Sequence, residues 1–187
     1  MERVLENAFL SARFGENGAL VSLVNKRTGD EYIKFPASAP LFQLSVMTGA
    51  CGEKRTVDPP APAAAEAEAF GGGTRLVFRY RAEGDPAYEA AVTAELGAES
   101  GELTFGLELD WKPTNTEHVA EVVFPNVRGF LLGSSSASNV LLYPHHAGER
   151  TPHPAKAYAS DKYAGFWRAE VRKTGGVYRR EINYCGL

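Results

Sequence analysis

The stretch that decides the fold is ELTFGLELDW, which runs from Glu102 to Trp111. Its apolar side chains fall on every second position, namely Leu103, Phe105, Leu107, Leu109 and Trp111. Polar or small residues occupy the positions between them. Because successive side chains of a β-strand point to opposite faces of a sheet, this alternation predicts a half-buried strand with its apolar face toward a core.

Comparable runs recur along the chain and predict an all-β protein. Further candidate strands are Leu41–Met47, Thr74–Arg81, Tyr88–Leu96, Val119–Phe124, Val140–Tyr143 and Val177–Tyr184. Val119–Phe124 and Val140–Tyr143 are apolar at nearly every position, which is typical of strands that are covered on both faces. No long window carries the 3.6-residue periodicity of an amphipathic helix. The sequence therefore predicts an antiparallel β-sandwich.

Turn-forming residues separate these runs. The opening stretch Glu6–Tyr32 reads as two strands joined through Gly15–Gly18, whose Asn-Gly step tolerates positive φ and is a strong hairpin signal. A second turn is predicted at Lys26–Gly29. Composition predicts loops over Asp58–Ala69, which is rich in alanine and proline, and over Gly133–Ser138.

Length and charge restrict the class of protein. A chain of 187 residues can form one domain with a sizeable core. A net charge of −3, a pI near 5.9 and scattered basic residues argue against a nucleic-acid partner. No apolar run approaches the ~20 residues that span a bilayer, so no membrane partner is predicted. The charged start Met1–Asn7 lacks the apolar core of a signal peptide, and we expect a cytoplasmic protein, or an exported one if a leader was removed.

The two cysteines and the end of the chain carry two further expectations. Cys51 and Cys185 have neither the spacing of a zinc site nor that of a redox motif, so no cofactor is predicted. The end at Ile182–Leu187 has no polar tail. Natural domains commonly finish in exposed polar residues. Residues 1–187 are therefore predicted to be a single sandwich domain from a longer multidomain protein.

The densest cluster of titratable residues is Tyr143–His153, which holds three of the four histidines. It follows an apolar candidate strand, and functional groups favour loops held by a rigid scaffold. Its ligand-binding candidates are His145, His146, Glu149 and Arg150, and His146 with Glu149 could act as an acid–base pair. The alternative is a surface turn in which Glu149 pairs with Arg150. No metal site is predicted, because glycine and proline in the cluster oppose the helix that a zinc motif needs.

An aromatic stretch follows, from Tyr158 to Arg168. Sugars offer C–H faces that stack on aromatic rings, and hydroxyls that bind nearby polar groups. Tyr158, Tyr163 and Trp167 are therefore candidate sugar-binding residues. The alternative is that these rings close one end of the sandwich.

The opening hairpin, the strand at Glu102–Trp111 and the segment Asn139–Glu149 together resemble one family. It is the N-terminal, galactose-mutarotase-like β-sandwich of bacterial glycoside-hydrolase-like proteins, a domain of unknown function. In that family a (β/α)₈ barrel follows the sandwich and carries the catalytic carboxylates. The resemblance implies a non-catalytic sandwich that supports a downstream catalytic domain and lends the Tyr143–His153 loop to the rim of a carbohydrate cleft. No catalytic residue of this chain is identified on that interpretation.

Two alternatives stay open beside it. The chain could be a carbohydrate-binding module that holds sugar through Tyr158, Tyr163 and Trp167. It could also be an aldose epimerase-like enzyme that uses His146 and Glu149, since mutarotases resemble this fold and use a histidine and a glutamate. A sandwich without its neighbouring domain would expose an apolar patch, and we expect a homodimer on that ground.

Overall fold

The computed structural model describes residues 3–34, 36, 38–49, 52–83, 87–112, 117–130, 140–143 and 149–152. All regular structure in these residues is β-strand, and every strand pair is antiparallel, which confirms the predicted antiparallel β-sandwich. The chain divides into two compact units, Met1–Phe130 and Leu131–Leu187. The predictions for Gly133–Ser138 and Val177–Tyr184 lie outside the described residues.

The strands run in chain order through both units. They are β1 (Arg3–Glu6), β2 (Leu10–Phe14), β3 (Leu20–Asn25), β4 (Asp30–Glu31), β5 (Gln43–Thr48), β6 (Lys54–Val57), β7 (Ala64–Phe70), β8 (Gly73–Ala82), β9 (Tyr88–Leu96), β10 (Leu103–Trp111), β11 (Glu117–Val123), β12 (Val140–Tyr143) and β13 (Glu149–Pro152). The first unit contains three sheets with the orders β1-β2-β3-β4, β10-β9-β8-β7 and β11-β5-β6, here called the first, second and third sheets. In the second unit β12 pairs with β13.

The first sheet confirms both turns of the opening stretch. The Gly15 N–H donates to the Ala19 carbonyl at 2.9 Å, and the Gly18 N–H donates to the Gly15 carbonyl at 3.0 Å. Gly18 has a φ of 80°, in the left-handed region that the Asn-Gly step supplies. The second turn closes through the Gly29 N–H, which donates to the Asn25 carbonyl at 2.8 Å.

The second sheet corrects the loop expected over Asp58–Ala69. Residues 58–63 carry no strand, but β7 covers Ala64–Phe70 and pairs with β8 along its whole length. Alanine is a weak strand former, so composition indicated a loop, whereas the pairing with β8 decides the conformation. Gly71 and Gly72 join the two strands with φ values of 48° and 85°, as a two-residue type I′ turn requires.

The core lies between the inner faces of the first and second sheets. Phe14 of β2 meets Phe78 of β8 with ring centroids 5.5 Å apart, and both side chains are fully buried. Phe42 packs edge-on against Tyr80 at 5.1 Å and against Tyr88 at 6.3 Å, which brings the segment before β5 into the same core. Interdigitated aromatic rings of this kind bury large apolar areas and fix the distance between the sheets.

Asn7, between β1 and β2, ties the two sheets together at one end. Its Nδ2 donates to the carbonyls of Gly97 and Ser100, both at 2.7 Å, in the turn between β9 and β10. Its Oδ1 accepts the backbone N–H of Phe9 at 2.7 Å and of Leu10 at 2.8 Å. One side chain therefore closes a local turn and joins residues that are about 90 positions apart in sequence.

The third sheet corrects the expectation that Val119–Phe124 is covered on both faces. Val122 is 42% exposed and Val123 is 37% exposed. Among the strands that the structure describes, β11 has β5 as its one neighbour. An apolar run indicates a strand, but it does not distinguish a central strand from an edge strand, and here it marks an edge. Val140–Tyr143 is confirmed as a strand.

Candidate functional site

A groove crosses the outer face of the second sheet, the face turned away from the core. Arg79 of β8, Ala91 of β9 and Glu108 of β10 lie side by side in the strand register. In the next row, Glu89 lies beside Asp110. These five residues define the outer groove; its lining also includes Tyr80, Ala90 and Leu109, and its volume is about 340 Å³.

The local sequence explains why a groove forms at this position. Alternation along β8, β9 and β10 sends most of the large apolar side chains inward and leaves the polar ones outside, with Val77 as the apolar exception on the outer face of β8. Ala91 is short, so the middle strand forms a low floor. Neighbouring strands lie ~4.8 Å apart, which places the backbones beneath Arg79 and Glu108 about 10 Å apart. A guanidinium therefore forms one wall, and carboxylates form the opposite wall.

Arg79 differs from the other arginines of β8 in its surroundings. Arg75 donates to Glu68 at 2.8 Å and to Glu95 at 3.4 Å, and its guanidinium lies 5.0 Å from the centre of the Phe70 ring. Arg81 has its Nε 3.3 Å from the Glu83 carboxylate. Arg79 is exposed and makes no ion pair within 4.0 Å in the described residues. Among the described residues its five N–H donors have no ion-pair partner, which makes Arg79 a candidate to donate to a ligand.

Two of the carboxylates in the groove are equally uncommitted. Glu108 and Asp110 are exposed, and neither makes a hydrogen bond or ion pair to any other residue that the structure describes. Glu89 lies at the limit of contact with Arg81, at 4.0 Å. Ionised carboxylates only accept hydrogen bonds, whereas a guanidinium only donates them. The groove thus offers donors from one side and acceptors from the other.

Glu31 is a carboxylate with a different role. Burial raises its pKa, but hydrogen bonds from the Ser22 hydroxyl and from the N–H groups of Leu23 and Ile33, helped by the charge of Arg13, outweigh burial and lower the pKa below 4.5. The two backbone bonds measure 2.8 Å each. Both carboxylate oxygens are therefore occupied, and Glu31 stabilises the end of the first sheet.

We expect the stability contributed by Glu31 to depend on pH. Because its folded-state pKa is lowered, the contribution is fully present above pH 4.5 and is lost as the pH falls through the folded-state pKa. At pH 7, Glu31→Gln should lower the free energy of unfolding by about 2 kcal/mol, since charge-assisted hydrogen bonds are replaced. The difference from wild type should shrink in urea titrations below pH 4.5.

Glu66→Gln is the matched control for Glu31→Gln. Glu66 is exposed, and its carboxylate makes no hydrogen bond among the described residues. Glu66→Gln should have the same urea unfolding midpoint as the wild type both at pH 7 and at pH 3. An equal loss of stability for Glu31→Gln at pH 7 and at pH 3 would contradict the structural role assigned to the ionised carboxylate.

The aromatic end of the core holds two buried polar atoms. The hydroxyl of Tyr88 and the Nε1 of Trp111 have no hydrogen-bond partner in the described part of the chain, and their rings stack with centroids 6.1 Å apart. Burial, together with the negative charge of Asp58, raises the pKa of Tyr88 to about 12. The raised pKa favours the neutral phenol form of Tyr88.

The candidates predicted from the sequence lie elsewhere in the chain. The predictions for His145, His146, Tyr158, Tyr163 and Trp167 fall outside the described residues. The backbone of Glu149 and Arg150 belongs to β13, where Glu149 pairs with Tyr143 and Arg150 pairs with Leu142. The ligand-binding roles of all seven residues, and the acid–base roles of His146 and Glu149, stay predictions.

The outer groove itself was missed by the sequence reasoning. The alternation of apolar and polar residues is enough to place Arg79, Glu108 and Asp110 on the outer faces of their strands. It did not show that β9 lies between β8 and β10, or that a short side chain separates the charged ones. Short turns favour pairing between strands that are consecutive in sequence. Applied to β8, β9 and β10, this rule would have placed these residues side by side.

Neither a metal site nor a membrane-spanning helix is found among the described residues. No group of three or more histidine, cysteine, aspartate or glutamate side chains in that part of the chain is arranged to hold a metal ion. No helix within the same residues is long and apolar enough to cross a membrane.

Comparisons with protein-family models and with curated protein sequences assign no family to this chain. No protein-family model matches the chain, and no curated protein sequence matches it with significance.

Proposed function

We propose that this chain is a non-catalytic, carbohydrate-binding β-sandwich of a carbohydrate-active protein, and that the outer groove contacts the saccharide. The observation that carries the proposal is the pairing of the Arg79 donor wall with the Glu108 and Asp110 acceptor wall across the Ala91 floor. Each sugar hydroxyl both donates and accepts a hydrogen bond. A polyol can therefore satisfy both walls at once.

The balance of charge in the groove disfavours an anionic ligand. Three carboxylates, from Glu89, Glu108 and Asp110, face one guanidinium in the groove. A phosphorylated or otherwise anionic ligand would meet Arg79 only by approaching these carboxylates, which repel it. A neutral saccharide avoids this penalty.

The resemblance to the galactose-mutarotase-like sandwiches supports the same class of ligand. On that interpretation the sandwich serves a catalytic domain in the same parent protein. It would support that domain and hold part of the carbohydrate near the catalytic cleft. The open form of the groove suits such an accessory role, because a shallow site buries little of its ligand and binds weakly.

We expect neutral oligosaccharides to shift the backbone amide resonances of Arg79, Ala91 and Glu108 in a titration followed by ¹H–¹⁵N NMR. Arg79→Gln should weaken this binding about fivefold, because one charged donor is lost while the side-chain size is nearly kept. Glu108→Gln should weaken it to a similar degree.

Arg27→Gln is the matched control for this experiment. Arg27 is exposed in the turn between β3 and β4, on a different sheet from the groove. This variant should bind as the wild type does. The proposal fails if none of the neutral oligosaccharides tested shifts the amide resonances of Arg79, Ala91 and Glu108. It also fails if Arg79→Gln and Arg27→Gln bind equally well.

A further inference from the structure

β10 is a long, regular edge strand that lacks most of the usual devices that block an edge, although it carries the charged side chains of Glu108 and Asp110 on its outer face. It spans nine residues, pairs with β9 without a bulge, and contains no proline, lysine or arginine. Among the strands that the structure describes, β9 is its one neighbour. Edges of this kind present a row of backbone N–H and C=O groups to another strand.

The inner face of β10 is also less buried than that of its neighbour. The inward side chains of β9 are at most 6% exposed; they are Tyr88, Ala90, Val92, Ala94 and Leu96. The inward side chains of β10 pack against the same core but are only partly buried; they are Leu103, Phe105, Leu107, Leu109 and Trp111. The core therefore continues to the edge of the sheet and is left partly open there.

Four of the other edge strands in the first unit, β1, β6, β7 and β11, carry features that protect an edge. β1 and β6 have only four residues each and carry charged side chains, including Arg3, Lys54 and Arg55. β7 carries alanine and glutamate at most positions, and β11 has a register irregularity between Val119 and Glu121. Short length, charge and bulges are the features that discourage edge-to-edge pairing. β10 differs from these strands in combining nine residues with a regular register, although Glu108 and Asp110 are charged.

We propose that β10 is a dimerisation edge that pairs antiparallel with β10 of a second copy of this chain. The two second sheets then form one continuous eight-stranded sheet, and the two partly open core edges cover each other. The proposal does not depend on the carbohydrate-binding function.

The sequence of β10 is complementary to itself in one register. With Leu107 opposite its own copy, Phe105 lies opposite Leu109 and Leu103 lies opposite Trp111. On the outer face, each carboxylate then lies opposite an uncharged residue, because Gly106 faces Glu108 and Thr104 faces Asp110. Every apolar side chain meets an apolar one, and no like charges are directly opposed.

Neighbouring registers lack this match. Centring the pair on Glu108 places the two Glu108 carboxylates directly opposite each other, which is destabilising. Centring it on Gly106 places Asp110 opposite Glu102. A shift that pairs odd with even positions turns apolar residues of one strand against polar residues of the other. The register centred on Leu107 is therefore the one to test.

The test is sedimentation equilibrium of the full chain over a wide concentration range, with opposite charges introduced at Thr104. Thr104→Asp places two new carboxylates opposite Asp110 and should weaken dimerisation at least tenfold. Thr104→Lys replaces the same contact with an ion pair and should strengthen dimerisation several-fold. Both effects should diminish at high ionic strength.

Thr74→Asp and Thr74→Lys are the matched controls, since Thr74 is exposed on β8, a central strand of the same sheet. They should leave the dimerisation constant unchanged. Opposite effects of the two Thr104 substitutions would support the proposed register. A wild-type chain and a Thr104→Lys variant that both stay monomeric would overturn the proposal, as would a dimer that neither Thr104 substitution affects.

Discussion

Asn7→Ala should lower the free energy of unfolding by about 3 kcal/mol. The substitution removes two hydrogen bonds to the carbonyls of Gly97 and Ser100 and two from the N–H groups of Phe9 and Leu10. Each such bond contributes ~1 kcal/mol net, and part-buried backbone groups are left without a partner. The shift in the urea midpoint at an unchanged m-value measures the effect.

Asn25→Ala separates the connection between sheets from the local turn. The Oδ1 of Asn25 also accepts backbone N–H groups, from Arg27 at 3.0 Å and from Thr28 at 3.4 Å. Its Nδ2 donates to the Tyr32 hydroxyl, within the same sheet. We therefore expect a loss of about 1 kcal/mol. Equal losses for the two alanine variants would show that the bonds from Asn7 to the β9–β10 turn contribute nothing.

Gly18→Ala should destabilise the fold by about 3 kcal/mol, for two separate reasons. Alanine is strained at a φ of 80°, which costs ~1 kcal/mol. In addition, a Cβ at this position would overlap the hydroxyl oxygen of Tyr80, a side chain that is 2% exposed. Displacing that hydroxyl also breaks its hydrogen bond to the Asn17 carbonyl, at 3.3 Å. Thermal or urea unfolding measures the loss.

Gly29→Ala supplies the control for backbone strain alone. Gly29 has a φ of 75°, and an added Cβ meets nothing within 4 Å. Its loss should be about 1 kcal/mol. Tyr80→Phe should restore part of the stability lost in Gly18→Ala, because the overlapping oxygen is removed, and a double-mutant cycle measures this coupling. Additive losses in the cycle, or equal losses at the two glycines, would exclude the steric explanation.

Much of the fold could be predicted because the signals were local. The alternation in Leu103–Trp111 and the Asn-Gly step at Asn17 depend on a few adjacent residues, and both predictions are confirmed. The strand Ala64–Phe70 was missed because its conformation depends on pairing with β8 rather than on its own propensity. The exposure of Val122 was missed because the position of a strand within a sheet is a property of the whole fold.

The candidate site depends on contacts that are distant in sequence. Arg79 and Glu108 become neighbours of one groove only when β9 is placed between their strands. Asn7 gave no signal for its bonds to Gly97 and Ser100, because an asparagine before a strand has the same appearance in any local turn. The sequence instead favoured the segment Tyr143–His153, where histidines are dense along the chain.

The order of strands also has a consequence for folding. Within the second sheet each strand pairs with the next one in sequence, so this sheet can assemble hairpin by hairpin from nearby residues. The third sheet is different, because β11 pairs with β5 and all four strands of the second sheet lie between them in the sequence. The entropic cost of closing long loops therefore falls mainly on that pairing and on the hydrogen bonds from Asn7 to Gly97 and Ser100. The second sheet is therefore expected to form early, while the pairing of β11 with β5 sets the folding rate.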